Sequence, residues 1–592
     1  MSRREKDVTE MKDMKRLFRY CGPYRLDMIL GMLLVMVESG FELMIPVMIA
    51  DLIDVGVANR NVDYIFSKGI QMGICALLAL ITGLLYARFA ARAAYGWGAR
   101  IREAEYEKVQ EYAFANLDHY STSSLITRMT TDVTVLQNTI NGGFRPLVRG
   151  PFMLVMGVAL SFWMNARLAL VFVVCAPVLG VILWWIVRKV SPMYTRLQGT
   201  VDRLNGVVQE GLTAIRAVKA FVRGEYEEEK FEEVNRDLMD TSKTTFHFAV
   251  LNLPAFQAVM YTAVVCILWF GGNMIRAGSL EVGDLTGFLS YVMQVINSLM
   301  MIANVFLLLT RSLASARRIC QVLDEEILLI SPENGKTEVR DGSVDFEHVS
   351  FKYHADAKEY ALRDVTLHIP AGQTVGILGG TGSAKTTLVQ LIPRLYDATE
   401  GTVRVGGLDV RQYDLKSLRD SVGIILQKNL LFSGTVRDNL KWGNPDADDE
   451  TLWAACRAAC ADEFLERMPK GLDTDLGQGA TNISGGQKQR LCIARALLCD
   501  AKVLVFDDST SAVDTATERK IREALGKLKN VTKIVIAQRV TSVIHTDQIV
   551  IMEDGKIHAV GTHRELLEHD PIYQEIYHTQ MKGGQEDGSE TV

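Results

Sequence analysis

The sequence predicts an α-helical membrane domain of six spans followed by a soluble α/β domain. Three observations lead there: six long apolar runs before residue 310, a shift to charged, turn-rich composition after Glu325, and solid apolar strands interrupted by a glycine-rich loop. Of 592 residues, 48% are hydrophobic and 23% charged. That is too apolar for a wholly soluble chain and too charged for one buried entirely in lipid. At about 150 residues per domain the length allows three to five units. The net charge of −6 provides no basic field, which argues against a nucleic-acid partner. The nine cysteines are scattered, with no CxxC pair, so neither a disulfide framework nor a zinc site is indicated.

The apolar runs cover roughly residues 26–53, 66–92, 143–163, 167–188, 246–275 and 284–309. Each is long enough, at 1.5 Å per residue, to cross about 30 Å of hydrocarbon. The charged N-terminus, MSRREKDVTEMKDMKRLFRY, lacks the apolar core of a signal peptide. The long connections 93–142 and 189–246 are rich in Lys and Arg, whereas those near Asn165 and Met274 are short. Positive charge stays inside, so both termini and both long connections are expected in the cytoplasm of a multi-pass plasma (inner) membrane protein. EAEYEKVQEYAFANL and RGEYEEEKFEEVNRDLMD carry opposite charges three and four residues apart, so the helices are expected to continue beyond the lipid.

The expected organisation is a cytoplasmic N-terminus and amphipathic elbow over 1–25, the spans over 26–325, a linker over 326–340, the soluble domain over 341–580 and a disordered tail over 581–592. SVDFEHVSFKY and ALRDVTLHIP alternate as half-buried antiparallel strands do. TVGILG, KVLVFD and KIVIA are continuously apolar, as in a parallel sheet covered on both faces.

TVGILG runs into Gly379, Gly380, Thr381, Gly382, Ser383, Ala384, Lys385, Thr386 and Thr387, and then into an apolar helix. Glycines let backbone N–H groups face a phosphate, Lys385 adds a cation, and the Thr386 hydroxyl suits Mg2+. The pattern GxxxxGK[ST] asks for glycine where this chain has Ala384; a methyl there is tolerable in helical backbone and costly at positive φ. Asp507 ends the strand VLVFD, where a carboxylate reaches Mg2+ directly or through water. Between them, NISGGQKQR offers the Ser484 hydroxyl, the Gly485 and Gly486 N–H groups and Gln487 at a helix start.

Together these residues resemble the ATP-binding cassette exporters, in which six spans precede one nucleotide-binding domain. The likeness covers nearly the whole chain. It implies a phosphate-loop ATPase with an antiparallel β subdomain and a helical subdomain, with ATP and Mg2+ as cofactors. It further implies Gln427 as a magnesium-linked glutamine, Tyr353 as the aromatic stacked on adenine, a signature from Ile483 to Gln487, and a D-loop, SAVD, ending at Asp514.

In that family a glutamate usually follows the magnesium aspartate, and a histidine ends a later strand; here these catalytic positions hold Asp508 and Gln538. Aspartate withdraws the carboxylate by about 1.5 Å, and an error of about 1 Å already costs roughly 10²-fold in rate. Glutamine still donates a hydrogen bond to a γ-phosphate but is never cationic. Gln478 stands where the family often has a glutamate ahead of the signature. The two substitutions imply a site that binds ATP and hydrolyses it slowly. The family's head-to-tail pairing of two nucleotide-binding domains puts each ATP between the phosphate loop of one and the signature of the other. It also implies a partner: a homologous half-transporter with intact glutamate and histidine, in the same lipid bilayer.

By the same resemblance, coupling helices fall near 119–129 and 211–221. Glu38 and Glu42, one turn apart in the first span, either line a cation-attracting cavity or pair with Arg or Lys on another helix. Gln294, Asn297 and Asn304 in the last span are further candidates for the substrate path. The reading is a heterodimeric, multidrug-type exporter of drugs, peptides or other amphipathic small molecules. The alternatives are an ATP-gated or sensor-like member of the family and a homodimeric lipid translocator.

Overall fold

The computed structural model describes residues 12–354, 356–508 and 514–586. They form two compact units, one comprising residues up to 110 together with 122–325, the other comprising 111–121 together with the residues from 326 onward.

The first unit is helical. Its principal helices are α1 (Arg25–Asp51), α2 (Val62–Gln110), α3 (Val133–Met164), α4 (Ala166–Thr213), α5 (Gly224–Ala249), α6 (Asn252–Arg276) and α7 (Val282–Asp324). Among the described residues, six helical stretches are long and apolar enough to cross a membrane. Helix α2 has 49 residues, about 73 Å at 1.5 Å each, more than twice the thickness of the hydrocarbon. Along its apolar part Ile70, Ile74, Leu77, Ile81 and Leu84 are exposed, as lipid-facing residues are. Asn165 separates α3 from α4 by leaving helical φ/ψ, and its side-chain oxygen accepts from the N–H groups of Arg167 and Leu168. Helix α6, which carries Pro254 in its first turn, is separated from the charged helix α5 by Val250 and Leu251.

The two largest of three apolar clusters among the described residues of this unit hold its helices together. One packs Phe288, Tyr291 and Val292 of α7 against Leu43, Leu168, Phe172 and Ile267, and the Tyr291 hydroxyl donates to the Leu43 carbonyl at 2.7 Å. The other seats the segment before α1: Leu17 and Cys21 are buried, Phe18 stacks on Trp97 at 5.3 Å, and the Trp97 indole N–H donates to the Leu17 carbonyl at 2.9 Å.

The second unit has two sheets. Strands β1 (Val344–Phe351), β2 (Leu362–Ile369), β4 (Glu400–Val405) and β5 (Leu408–Asp409) form an antiparallel sheet in the order β2-β1-β4-β5. Strands β3 (Thr374–Gly379), β6 (Val422–Ile425), β7 (Val503–Asp507), β8 (Thr532–Ile536), β9 (Gln548–Glu553) and β10 (Lys556–Gly561) form the other, in the order β10-β9-β3-β8-β7-β6. All pairs in it are parallel except β9 with β10. Every residue of β7 is buried, which accounts for its unbroken apolar sequence. Helices α8 (Lys385–Gln390), α9 (Asp449–Ala458), α10 (Gly485–Leu497), α11 (Thr515–Gly526), α12 (His563–His569) and α13 (Pro571–Glu586) accompany the sheets. Helices α9 and α10 share a separate apolar core around Leu452, Phe464, Leu491 and Ile493, forming the helical part of the unit. Helix α13 extends to Glu586; residues 587–592 lie outside the described residues.

Residues 111–121 fold with this second unit. Phe114 sets its ring edge-on to Tyr396 at 6.0 Å, Asp118 accepts the Tyr396 hydroxyl at 2.8 Å, and His119 stacks on His354 at 5.8 Å. The contacting tip therefore begins about eight residues before the expected 119–129, because Phe114 and Ala115 are the side chains that join the sheet core.

Candidate functional site

Strand β3 delivers the phosphate-type loop at its C-terminal end, the position where open α/β sheets bind ligands. Gly379 has no room for a side chain: a Cβ would lie 2.2 Å from the Met552 carbonyl oxygen. Gly380 and Gly382 would meet nothing within 4 Å, so the loop backbone opens directly onto the space above it. Ala384 caps α8 at φ +67, ψ 26, in the left-handed region. The costly alternative foreseen for its methyl is the one realised.

Lys385 lies inside the curl, donating to the carbonyls of Gly379 at 2.9 Å and Gly380 at 2.8 Å and to the Ser383 hydroxyl at 3.1 Å. Burial pushes its ammonium below the usual lysine range, while Asp507 and Asp508 pull the other way. Thr386 donates its hydroxyl to Asp507 at 3.0 Å. Burial raises the Asp507 carboxyl; the Thr386 hydrogen bond opposes this, Asp508 adds to it and Lys385 opposes it.

These residues wall one cavity of about 940 Å3, together with Thr381, Thr387, Tyr353, Gln427, Asp508 and Gln538. A hydroxyl, a carboxylate and an amide oxygen are hard donors of the kind Mg2+ takes, and the lysine with open glycines suits a polyphosphate. The chemistry of the wall therefore fits a magnesium nucleotide. Thr386, Asp507 and Gln427 would hold the metal, which supplies charge neutralisation at the phosphates. Tyr353 forms part of the wall with its hydroxyl bonded to Thr387 at 2.7 Å, its ring edge-on to Phe351 at 4.9 Å and to Tyr396 at 5.3 Å.

Asp508 directly follows β7 and adopts φ +48. Its carboxylate accepts the side-chain amide of Gln538 at 2.9 Å. Burial raises the Asp508 carboxyl, and Lys385, Gln538 and Arg539 draw it back. The two substituted positions are thus in direct contact.

Ser484, Gly485, Gly486 and Gln487 do not line this cavity. Ser484 caps α10 by accepting the Gln487 N–H at 3.3 Å, while its own N–H donates to the Gln487 side chain at 2.9 Å. Ser484 and Gly485 are exposed at the helix start. Of the SAVD segment only Asp514 is described, as the cap of α11; Ser511, Ala512 and Val513 lie outside the described residues.

In the helical unit Glu38 and Glu42 are paired. Arg145 and Arg149 of α3 bond to Glu38 and Glu42 respectively, and Arg149 also lies 3.7 Å from Glu38. Of the two explanations for these acids, ion pairing is the one the geometry supplies, and the four charges cancel. Gln294 is half-buried with its amide oxygen unpartnered, Asn297 is exposed on α7, and the Asn304 side chain lies outside the described residues.

Sequence reasoning missed the contribution of α13, whose Ile576 and Gln580 reach the cavity wall. No motif marks them; they are brought there by long-range packing.

Residues 28–299 match the family model described as ABC transporter transmembrane region, and residues 362–511 match that described as ABC transporter. The chain is 35% identical to the uncharacterized ABC transporter ATP-binding protein YfiB of Bacillus subtilis, over 96% of this chain and 99% of the relative. It is 30% identical to an ATP-dependent lipid A-core flippase of Desulfotalea psychrophila, over 97% of this chain and 100% of that protein. Its fold is similar to that of a bacterial Atm1-family ABC exporter solved with ATP bound, with a TM-score of 0.77 and 23% identity, covering 94% of this chain and 98% of the other.

Proposed function

The chain belongs to the ABC transporter family, joining a transmembrane region to an ATPase domain in one polypeptide, and from that premise we propose that it is the slow-site half of a heterodimeric exporter. Exporters of this family are integral membrane proteins driven by ATP, and they work as dimers. One observation carries the finer reading: where the water-polarising glutamate is expected stands Asp508, set back by one methylene and engaged by Gln538 at 2.9 Å. In-line phosphoryl transfer depends on a carboxylate holding the attacking water, and a shortfall of about 1 Å costs roughly 10²-fold.

In this reading nucleotide bound at Lys385, Thr386 and Asp507 serves mainly to hold two unlike subunits together. The outward-facing signature at Ser484 completes the partner's site, which does most of the hydrolysis. Support for that division comes from the signature lying outside the chain's own cavity. The partner would carry the glutamate and histidine this chain lacks. The cargo is an amphipathic small molecule or peptide leaving the cytoplasm of a cell bounded by a plasma (inner) membrane, with the nucleotide-binding domain on the cytoplasmic side.

The mass of the intact complex tests this. Two different subunits of similar size, the second with glutamate and histidine at the matching positions, would support it; two copies of this chain hydrolysing ATP rapidly would refute it. A second reading, a homodimeric lipid translocator, is favoured by the similarity to the lipid A-core flippase over nearly the whole chain. The same mass measurement separates the two.

A further inference from the structure

Helix α13 touches the nucleotide cavity at a point no motif identifies. The Gln580 side-chain amide donates to the backbone carbonyl of Gln538 at 2.9 Å, and its oxygen accepts the backbone N–H of Val540 at 2.8 Å. A carbonyl needs a donor and an N–H needs an acceptor, so the two partners fix which way the amide points. One side chain thereby pins the main chain on both sides of Arg539, in the turn after β8. The Gln538 side chain emerges from this clamped stretch and meets Asp508.

The helix that carries Gln580 is itself anchored. Tyr573 is fully buried, and its ring packs with Ile572, Ile576 and Tyr577 against Leu378, Ala537, Val540 and Ile551. Leu378 immediately precedes the phosphate loop and Ala537 immediately precedes Gln538, so one apolar cluster seats the helix against both sides of the cavity.

We propose that Gln580 is a positioning residue of the nucleotide site, holding the Gln538 backbone so that the Gln538 side chain is presented to the terminal phosphate, and so making triphosphate recognition depend on the C-terminal helix. This rests on the reading that Gln538 contacts the γ-phosphate. A side-chain amide that both donates and accepts restrains a turn better than a single contact does.

The test uses the full-length protein in lipid nanodiscs and compares binding of the fluorescent probes mant-AMP-PNP and mant-ADP, each with Mg2+. Gln580→Ala is expected to weaken triphosphate-analogue binding about threefold to tenfold, the effect of one hydrogen bond, and to leave ADP within about twofold. In a Gln538→Ala background the same change should add nothing. Equal weakening of both probes, an unchanged preference, or an undiminished effect in the Gln538→Ala background would overturn the proposal. If Gln538→Ala itself leaves the preference unaltered, the reading of Gln538 fails, and the proposal fails with it by a separately visible route. Should Gln580→Ala loosen the helix, Gln580→Glu decides: it keeps the acceptor for Val540 and loses the donor to Gln538, so the preference must still fall.

Discussion

The side-chain amide of Gln538 donates to the carboxylate of Asp508 across 2.9 Å, so the two residues standing where the family has its catalytic pair hold each other. Restoring the pair should restore chemistry. Asp508→Glu with Gln538→His is expected to raise hydrolysis at this site by about 10- to 100-fold, the longer carboxylate recovering reach to the attacking water and the imidazole recovering a cationic donor. Phosphate release by the proposed heterodimer, with the catalytic glutamate expected of its other subunit replaced by glutamine, counts this site alone. No increase would refute the proposal that these two residues make the site slow.

Ala384 pays a backbone penalty at φ +67 that glycine would not. Left-handed backbone costs an L-residue about 1–2 kcal/mol, part of which glycine returns through its greater freedom when unfolded. Ala384→Gly is expected to stabilise the nucleotide-binding domain by about 0.5–1 kcal/mol, while Ala384→Val destabilises it by more. Thermal unfolding of the full chain without nucleotide shows both directions.

Tyr353 forms part of the cavity wall, and its hydroxyl is hydrogen-bonded to that of the buried Thr387 at 2.7 Å. Stacking on a base is worth about 1–3 kcal/mol, so Tyr353→Ala should weaken ATP and ADP alike by roughly 5- to 100-fold. Tyr353→Phe keeps the ring and should stay within about threefold for both. Equilibrium titration with mant-nucleotides distinguishes this base-directed effect from the phosphate-directed one expected of Gln538.

What the chain revealed before folding was local chemistry. The strand-loop-helix around Lys385, the buried strand ending at Asp507 and the capped helix at Ser484 each lie within a few consecutive residues, and each is found where its pattern put it. What stayed hidden was set by distant packing. Arg145 is 107 residues from Glu38, although a signal existed: Arg145 and Arg149 repeat the four-residue spacing of Glu38 and Glu42. Gln580 had no such signal, being 42 residues from Gln538 on an ordinary amphipathic helix. The left-handed turn at Ala384 was legible only as a choice between two backbones, because one substitution does not specify φ.

Glu38 is almost fully buried while its partner Arg145 is well exposed, so it is removal of the arginine that strands a charge, the Glu38 carboxylate, in a low-dielectric setting. Breaking a buried pair typically costs about 3–5 kcal/mol, whereas removing both charges is far cheaper. Arg145→Gln should lower the yield of folded protein, and Glu38→Gln with Arg145→Gln should recover much of it. Because both carboxylates are already engaged, Glu38→Gln with Glu42→Gln should leave the rate of cationic cargo transport, per folded molecule, within about twofold. Size-exclusion profiles and vesicle uptake measure the two effects; a selective loss of cationic cargo would return these acids to the substrate path.

His563 links acidity to the seating of the C-terminal helix. Its ring nitrogen lies 2.6 Å from the hydroxyl of Tyr573, the fully buried anchor of α13, with Tyr577 also against it. Burial, and then the neighbouring His545, push the His563 pKa below its ordinary value, so the neutral ring is the form the fold prefers. In the window between that lowered value and about 6.5 the unfolded chain binds more protons than the folded one, so stability is complete above about 6.5 and declines as the pH falls through the window. One such group contributes a slope of at most about 1.4 kcal/mol per pH unit. Protection factors of residues 571–580, that is, exchange rates referred to the intrinsic rate at each pH, should therefore fall between pH 7.5 and pH 5.5 more than those in β7. His563→Gln, which cannot be protonated, should flatten that difference. An identical pH response in the variant would mean that the helix is loosened by some other group, and His563 would then be only a packing partner of Tyr573.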